Sequence, residues 1–428
     1  MPTTTTTAPD TAALIPMPDL GRGSAPVAPP DEAQARVWDA THVMRTYARQ
    51  PTTFVRGQGA RLWDANGREY LDFLAGIAVC GVGHCHPKLV QAIQEQAATL
   101  MHVSNLYLTT EQARLAHRLT ALSGMDRVFF CNSGAEANEA ALKLARKRAK
   151  QIGGPNKVNV VTALNSFHGR TIATVTATGQ PRYQKGFEPL PGGFRYVPFN
   201  DADALQASVD DDTAAILLEP IQGESGIYPA TLGFLQTARA LADQRGALLI
   251  FDEVQSGMGR TGALWAFQRY GVTPDVLTAA KGLGGGFPIG ACLARGAAAD
   301  TLVAGDHGST FAGNPLAARA ANAVLDIIEE EDLFVNARRV GAHLVNGLCE
   351  LRRRFPATVG GVRGMGLMLA LGLRRPVARQ VLAHCLHAGL IVNAVGDDTI
   401  RLLPPLIITE SDAASAVDVL GKAIAATA

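Results

Sequence analysis

The run Asp275-Val-Leu-Thr-Ala-Ala-Lys281-Gly-Leu-Gly-Gly-Gly-Phe-Pro288 carries a lysine out of an apolar strand into a glycine-rich loop, twenty-nine positions after Asp252 closes another apolar run. A lysine kept partly out of water loses its charge more readily than a solvated one, and its neutral amine can form a Schiff base with an aldehyde. A carboxylate placed elsewhere in the same site can hold a heteroaromatic ring protonated. Lys281 with Asp252 therefore reads as machinery for an aldehyde cofactor. Asp252 ends Ala247-Leu-Leu-Ile-Phe251-Asp252-Glu253-Val254-Gln255, at the carboxyl edge where open α/β sheets bind ligands, so one of the two acids is expected to face the site. Solvated strand-end acids are the plainer reading. A third, the magnesium-binding acid of a P-loop ATPase, lacks its partner, because G-x-x-x-x-G-K-[ST] occurs nowhere in the chain.

Val128-Phe-Phe-Cys-Asn132-Ser133-Gly134-Ala135-Glu136 passes from a strand pattern directly into an alanine-rich helical pattern that lasts through Lys150. Ser133 and Glu136 have the spacing of a capping box, and the amides exposed at such a helix start also suit a phosphate dianion. The sequence leaves both readings open. Phe167-His168-Gly169-Arg170 sets an aromatic face beside a guanidinium able to grip a carboxylate through two parallel hydrogen bonds, although the same four residues also serve as ordinary surface. Arg401, in Ile400-Arg401-Leu-Leu-Pro-Pro, is a charge among apolar neighbours. It requires either a structural ion pair or a ligand.

Two motifs mislead. Gly257-Met-Gly259-Arg-Thr-Gly262 satisfies the dinucleotide pattern G-x-G-x-x-G. Its first glycine, however, comes five residues after the strand end, and Asp275 precedes a strand where a ribose-binding acid should follow one. Gly83-His84-Cys85-His86-Pro87, with Cys80 upstream, offers zinc-type ligands, but neighbouring residues on an extended loop cannot all face one tetrahedral centre. A packed turn is the better expectation, and no metal is expected.

The elements that must position these groups follow from composition and periodicity. A chain of 428 residues that is 47% hydrophobic can bury large cores and suggests two domains. With 39 basic against 38 acidic residues and no basic tract, neither nucleic acid nor a membrane surface is the expected partner. Small molecules are. Six scattered cysteines do not form a disulfide framework, no apolar run reaches the roughly 18 residues of a membrane span, and no secretory signal opens the chain. A cytoplasmic location is expected; an organellar transit peptide would carry more arginine and fewer acids than Asp10, Asp19 and Arg22 provide. Residues 1–35, with Thr3 to Thr7 and Pro26, Pro29 and Pro30, are expected to be a disordered tail. Asn66-Gly67 between Arg61–Asp64 and Glu69–Asp72 predicts a hairpin. Apolar runs at 128–131, 158–162, 214–218, 247–251 and 276–280, alternating with helical stretches, predict a mostly parallel sheet covered on both faces. Beyond about residue 330, helices with strands at 365–373 and 399–402 predict a smaller α+β domain.

Taken together, the residues resemble the class III (ornithine-type) aminotransferases of the fold type I pyridoxal-phosphate enzymes, from about residue 36 onward. The motifs stand in family order: Ser133-Gly-Ala-Glu-Ala-Asn-Glu139, Phe167-His-Gly-Arg170, Glu219-Pro-Ile-Gln-Gly-Glu224, Asp252-Glu-Val-Gln255, Lys281-Gly-Leu-Gly-Gly-Gly-Phe-Pro288 and Ser309-Thr-Phe311. Gly76-Ile-Ala-Val79 and the wording around Lys281 are most similar to the branch that acts on acetylornithine in arginine biosynthesis.

The resemblance implies an α/β fold whose segment 36–95 contributes to the small domain and a dimer interface, a large cofactor domain at 96–330, and a small domain at 331–428, assembled from both chain ends. It implies that Lys281 bonds pyridoxal 5'-phosphate and Asp252 partners the ring nitrogen. Phe167 and Val254 would pack on the two ring faces, Gln255 would bond the phenolic oxygen, and Ser133, Gly134 and Ala135 would hold the phosphate. Thr310, with Ser309, would reach across from a second subunit. The implied reaction moves the δ-amino group of acetylornithine to 2-oxoglutarate, with Arg170 on the α-carboxylate of acetylornithine and Arg401 on that of glutamate, neutralised by Glu224 in the first half-reaction. Succinylornithine, succinyl-diaminopimelate, ornithine and 4-aminobutyrate are alternative donors within the family. Cys80, Ser225 and Ala312 depart from residues usual in the acetylornithine branch, which puts acyl-group selectivity in doubt. A nucleotide-dependent enzyme and a silent scaffold are the readings from other classes.

Overall fold

Long apolar runs buried on both sides build the centre of the molecule, seen here in a computed structural model that describes residues 30–427. Seven strands lie in the order Arg127–Cys131, Gly290–Ala294, Val276–Ala279, Leu248–Asp252, Thr213–Leu218, Asn159–Ala163 and Phe194–Val197. All pair in parallel except Gly290–Ala294, which is antiparallel to both neighbours. Ala215, Leu217, Ile250 and Val276 face Ala140, Ala141, Leu144 and Ala145 of the helix Gly134–Gly153. Ile216, Leu218, Leu249 and Phe251 face the other side, with Phe234, Leu235 and Ala238 of the helix Leu232–Arg245. Successive side chains therefore enter two different cores, which is why these strands read as continuous apolar runs and not as alternations.

The parallel pairing gathers the chemistry at one edge. Asp252 is level with Thr278, three residues before the chain turns at Lys281, while Cys131 is level with Gly290. Asp252, Lys281, the Asn132–Ser133 turn, Glu219 and Phe167 thus all leave the carboxyl ends of the sheet.

Two smaller sheets flank this arrangement. Val359–Met365, Met368–Leu373, Thr399–Leu402 and Asn393–Val395 form an antiparallel sheet in which Arg401 is level with Ala370 and Asn393. Here the expected single strand 365–373 is corrected: Met365 ends one strand and Met368 starts the next. Gly366, at φ +59, makes the turn between them, where a Cβ would meet the Arg260 carbonyl oxygen at 2.7 Å. The other sheet pairs Phe54–Gln58, Arg61–Asp64 and Glu69–Asp72 with Leu390–Ile391, so both ends of the chain share it. The expected hairpin is present, with a four-residue connection stapled by the Asp64 carboxylate, which accepts from the amides of Asn66 at 2.9 Å and Arg68 at 3.0 Å.

The chain divides into two compact units between Thr53 and Phe54. In the first, Glu32–His42 is a helix capped by Asp31, which accepts from the Gln34 amide, and reinforced by the Glu32–Arg36 pair. Residues 32–35 are therefore helical, a correction to the disordered tail expected through residue 35. The cap and the i,i+4 pair supply order that the weak apolar periodicity did not suggest. Residues 1–29 of that tail lie outside the described residues.

Candidate active site

Lys281 begins a short 3-10 turn, Lys281–Leu283, with φ +42, a left-handed conformation uncommon for a residue with a side chain. The loop behind it has no room for larger residues: a Cβ on Gly284 would lie 1.9 Å from the Phe287 carbonyl oxygen, and one on Gly285 would lie 2.8 Å from Val324. This crowding seats the amine in the wall of a cavity of about 420 Å³. Burial pushes the Lys281 ammonium below the usual lysine range; the Glu224 carboxylate opposes that shift and the Arg401 cation reinforces it.

Asp252 enters the same cavity from the strand end. Its Oδ2 accepts from Asn138 Nδ2 at 2.7 Å and lies 2.8 Å from His168 Nδ1, while Oδ1 accepts from the Val254 amide at 3.0 Å. Glu253 turns the opposite way. Its carboxylate caps the next segment through the amides of Ala266 and Phe267 and the Ser256 hydroxyl, and burial pushes it up to about 7. One acid of the pair faces the site and the other is structural.

Ser133 caps the helix Gly134–Gly153 by accepting from the Glu136 amide at 3.3 Å. Glu136 reaches back to the Asn132 amide, one residue beyond the N-cap amide of the usual capping box, and accepts from the Ser133 hydroxyl. The first-turn amides at Gly134 and Ala135 stay open toward the cavity, which Ser133, Gly134 and Ala135 all line. Val254 packs tightly here, since a Cβ on Gly134 would meet its Cγ1 at 2.7 Å. Phe167 lines the cavity as well, held by its amide to Glu219 Oε2 at 3.0 Å and by an edge-on contact with Tyr183. Burial pushes Glu219 up to about 7, with the Asp252 charge adding to it and His168 opposing.

The expected carboxylate anchors occupy different states. Arg170 lines the cavity with its guanidinium carbon 3.9 Å from the Tyr183 ring centroid, and no carboxylate pairs with it among the described residues. Arg401, 2% exposed, donates from Nη1 to Glu224 Oε1 at 2.7 Å and from Nη2 to Asn393 at 2.9 Å. Burial alone would raise Glu224, but the charges of Arg401 and Lys281 and the hydrogen bonds from Arg401 and Gln255 hold it down at about 2. Gln255 donates to Glu224 from Nε2 at 3.0 Å. Its Oε1 is buried without a hydrogen-bond partner, as is Arg401 Nε.

Two expected site residues lie apart. Ser309 Oγ accepts from Asn132 Nδ2 at 3.0 Å and so touches the cavity's rim, whereas Thr310 is exposed and lies outside the cavity's lining. His84 and His86 point to different acids, Asp72 at 2.7 Å and Glu331 at 2.9 Å, and no group of three or more metal-ligating side chains converges among the described residues. Of the three departures, Cys80 borders the glycine loop at Gly286, Ser225 donates to Gln222 at 3.2 Å, and buried Ala312 accepts from Asn105 through its carbonyl at 2.9 Å. Sequence reasoning missed His168, Asn138 and Glu219 as parts of the site. The first is adjacent to Phe167 and the second lies five residues beyond Ser133, but only folding brings both to Asp252.

The donors fit pyridoxal phosphate. A buried amine, a cleft-facing carboxylate, open helix-start amides, two apolar walls and the unpartnered Gln255 oxygen match an aldehyde, a ring nitrogen, a phosphate, two ring faces and a phenolic group. Fold and site define a fold type I pyridoxal-phosphate-dependent enzyme. Residues 43–424 match the family described as Aminotransferase class-III, and the chain belongs to it. It is 53% identical to the acetylornithine aminotransferase of Gloeobacter violaceus over 379 residues, covering 89% of this chain and 94% of that one. Among solved structures, the ornithine aminotransferase of Toxoplasma gondii superposes with a TM-score of 0.90 at 33% identity, over 94% of this chain and 96% of that one. The N-acetylornithine aminotransferase of Stenotrophomonas maltophilia does so with a TM-score of 0.78 at 43% identity, over 89% and 97%.

Proposed function

We propose that this aminotransferase moves the δ-amino group of N2-acetyl-L-ornithine to 2-oxoglutarate, giving N-acetyl-L-glutamate 5-semialdehyde and L-glutamate in arginine biosynthesis. The observation that carries this reading is one open and one masked guanidinium at a single cavity: Arg170 without a carboxylate, and Arg401 behind Glu224 at 2.7 Å. An acylated diamine with one carboxylate needs one anchor; a dicarboxylate acceptor needs both. The names of the bacterial relatives support the same donor.

When bound, pyridoxal phosphate supplies an electron sink for the carbon that bears the amino group. The chain supplies the rest. In this reading Lys281 Nζ, its charge disfavoured by burial, would hold the cofactor's aldehyde carbon and would serve as the base that moves the proton at the substrate carbon. Asp252 would hold the proton on the ring nitrogen. Ser133, Gly134 and Ala135 would hold the phosphate, Phe167 and Val254 would pack against the ring, and Gln255 would hydrogen-bond the phenolic group. We assign the cofactor to a domain at 96–330 and the Arg401 anchor to a smaller domain at 331–428, with 36–95 contributing to the latter.

A homodimer completes the site in this proposal. Leu106, Leu108 and Phe311 are 84%, 100% and 61% exposed, and Asn105 ties the first segment to Ala312 beside the last. A second copy would cover this apolar surface and bring Thr310 of the partner subunit to the phosphate. All six cysteines are free and no helix among the described residues is long and apolar enough to cross a membrane, which supports the cytoplasm as the compartment. Free ornithine is the second reading for the donor, favoured by the superposition on the Toxoplasma enzyme.

The test is a panel of amine donors assayed with 2-oxoglutarate. Acetylornithine should give the highest kcat/KM. A higher value for ornithine, succinylornithine or 4-aminobutyrate would move the assignment to that donor.

A further inference from the structure

We propose that Tyr183 is a positioning residue that holds the Arg170 guanidinium ready for the α-carboxylate of the amino donor; the inference rests on the reading of Arg170 given above. The guanidinium carbon of Arg170 lies over the Tyr183 ring, 3.9 Å from its centroid, and is farther from the Phe167 ring, at 5.4 Å. Tyr183 does not line the cavity that Arg170 lines, so it acts through the arginine. An aromatic face attracts the cation without taking any of its N–H donors. Among the described residues no hydrogen bond engages the Arg170 guanidinium, which leaves its fork free for the two parallel bonds that a carboxylate accepts. Arg401 is the contrast, because Glu224, Asn393 and the Gly223 carbonyl occupy its Nη atoms. One anchor is held by a ring face and stays open; the other is held by its own donors and is masked.

The ring is itself fixed. It sits on the short helical turn Pro181–Gln184, which a proline opens. Gln180, just before the turn, donates from Nε2 to the Ser166 carbonyl at 2.9 Å, and Gln184, at its end, donates to the Thr178 carbonyl at 2.9 Å. Ser166 immediately precedes Phe167, so the turn is tied to the loop that carries Arg170. Phe167 meets the Tyr183 ring edge-on at 5.9 Å. Arg182 donates to the Tyr183 hydroxyl at 3.0 Å and to Gln180 Oε1 at 2.8 Å, which steadies the ring from its polar end. An exposed arginine otherwise samples many rotamers, and the freedom it loses on binding subtracts from affinity. Resting Arg170 on a fixed ring removes part of that loss before the donor arrives.

Two donors separate this role from packing: N2-acetyl-L-ornithine and N-acetylputrescine, which is the same molecule without its carboxylate. Single turnovers of the holoenzyme, with cofactor saturating, give an apparent affinity and a limiting rate for each. Tyr183→Leu should lower the apparent affinity for acetylornithine by about 5- to 30-fold, with a smaller change in limiting rate, and leave acetylputrescine within about twofold. Tyr183→Phe keeps the ring and should recover most of the loss. Equal losses on both donors would reduce Tyr183 to packing, and no loss on either rejects the role. A Phe variant as weak as the Leu variant would assign the effect to the hydroxyl and overturn the part given to the ring. Arg170→Ala is measured alongside. If it removes the preference for the carboxylated donor while Tyr183→Leu keeps that preference whole, the role of Tyr183 alone fails. If Arg170→Ala retains the preference, the Arg170 reading fails and this inference with it.

Discussion

Arg401 Nη1 lies 2.7 Å from Glu224 Oε1, and Gln255 Nε2 donates to that same oxygen at 3.0 Å. A guanidinium with almost no exposed surface is thus joined, through one carboxylate, to a side chain in the cofactor cavity. Whatever draws Arg401 away must leave Glu224 with other partners, and whatever moves Glu224 exposes a strong carboxylate receptor.

Glu224→Ala should uncover Arg401 during the half-reaction with the acylated donor and let the substrate bind reversed. In single-turnover experiments with ornithine, transfer from the α-amino group should gain about tenfold or more on transfer from the δ-amino group, a shift of about 1.4 kcal/mol in relative barriers. An unchanged ratio would remove the gating role.

The same carboxylate ties stability to acid. Glu224 is held down at about 2 against 4.5 for a free side chain. A depressed carboxylate contributes stability above its unfolded pKa and loses it as pH falls through the folded one, so the contribution is complete above pH 4.5 and disappears toward about 2. The loss is on the order of 3 kcal/mol. Glu224→Gln should therefore lower Tm at pH 6 and cost much less at pH 3, as calorimetry would show.

Glu219 has the opposite sign. Burial raises it to about 7, so its contribution is present below 4.5 and is lost as pH rises through about 7. Glu219→Gln should flatten the dependence of Tm on pH between those limits, although buried Glu253 retains a slope of its own. An identical slope in variant and parent would show that Glu219 titrates as an exposed acid does.

Lys281→Ala should abolish multiple turnover, and borohydride treatment of the parent should leave the cofactor attached to Lys281, read by peptide mass. Asp252→Asn should reduce kcat nearly as far, because a neutral amide does not stabilise a protonated ring nitrogen. Full activity in either variant would remove the role assigned to that residue.

Gly134→Ala should weaken cofactor binding by about 1–3 kcal/mol through overpacking. The added Cβ would meet Val254 at 2.7 and 2.9 Å, and a β-branched side chain has no spare rotamer to offer. Adding Val254→Ala should restore part of the loss. A double variant no better than the single one would place the constraint elsewhere.

Much of the central sheet was legible because its strands are buried on both faces and so read as unbroken apolar runs. Two strands escaped notice. Gly290–Ala294 is made of small residues apart from Leu293 and has little β character, and Phe194–Val197 is a short edge strand interrupted by an arginine. At the site, Lys281 and Asp252 announced themselves by type and position. His168 and Asn138 did not, because their meaning comes from a carboxylate 84 and 114 positions away. Periodicity also missed the helix at Glu32–His42, whose order comes from a cap and a charge pair and which has no buried residue.

The antiparallel strand Gly290–Ala294 has a consequence for how the enzyme matures. It joins Arg127–Cys131 to Val276–Ala279, so the helix start that would grip the phosphate and the lysine that would capture the aldehyde belong to chain segments about 150 residues apart and are brought into register only when this strand docks between them. Acquisition of the vitamin should therefore be a late event in biogenesis, and the yellow colour of the holoenzyme would serve as a report that the last gap in the scaffold has closed.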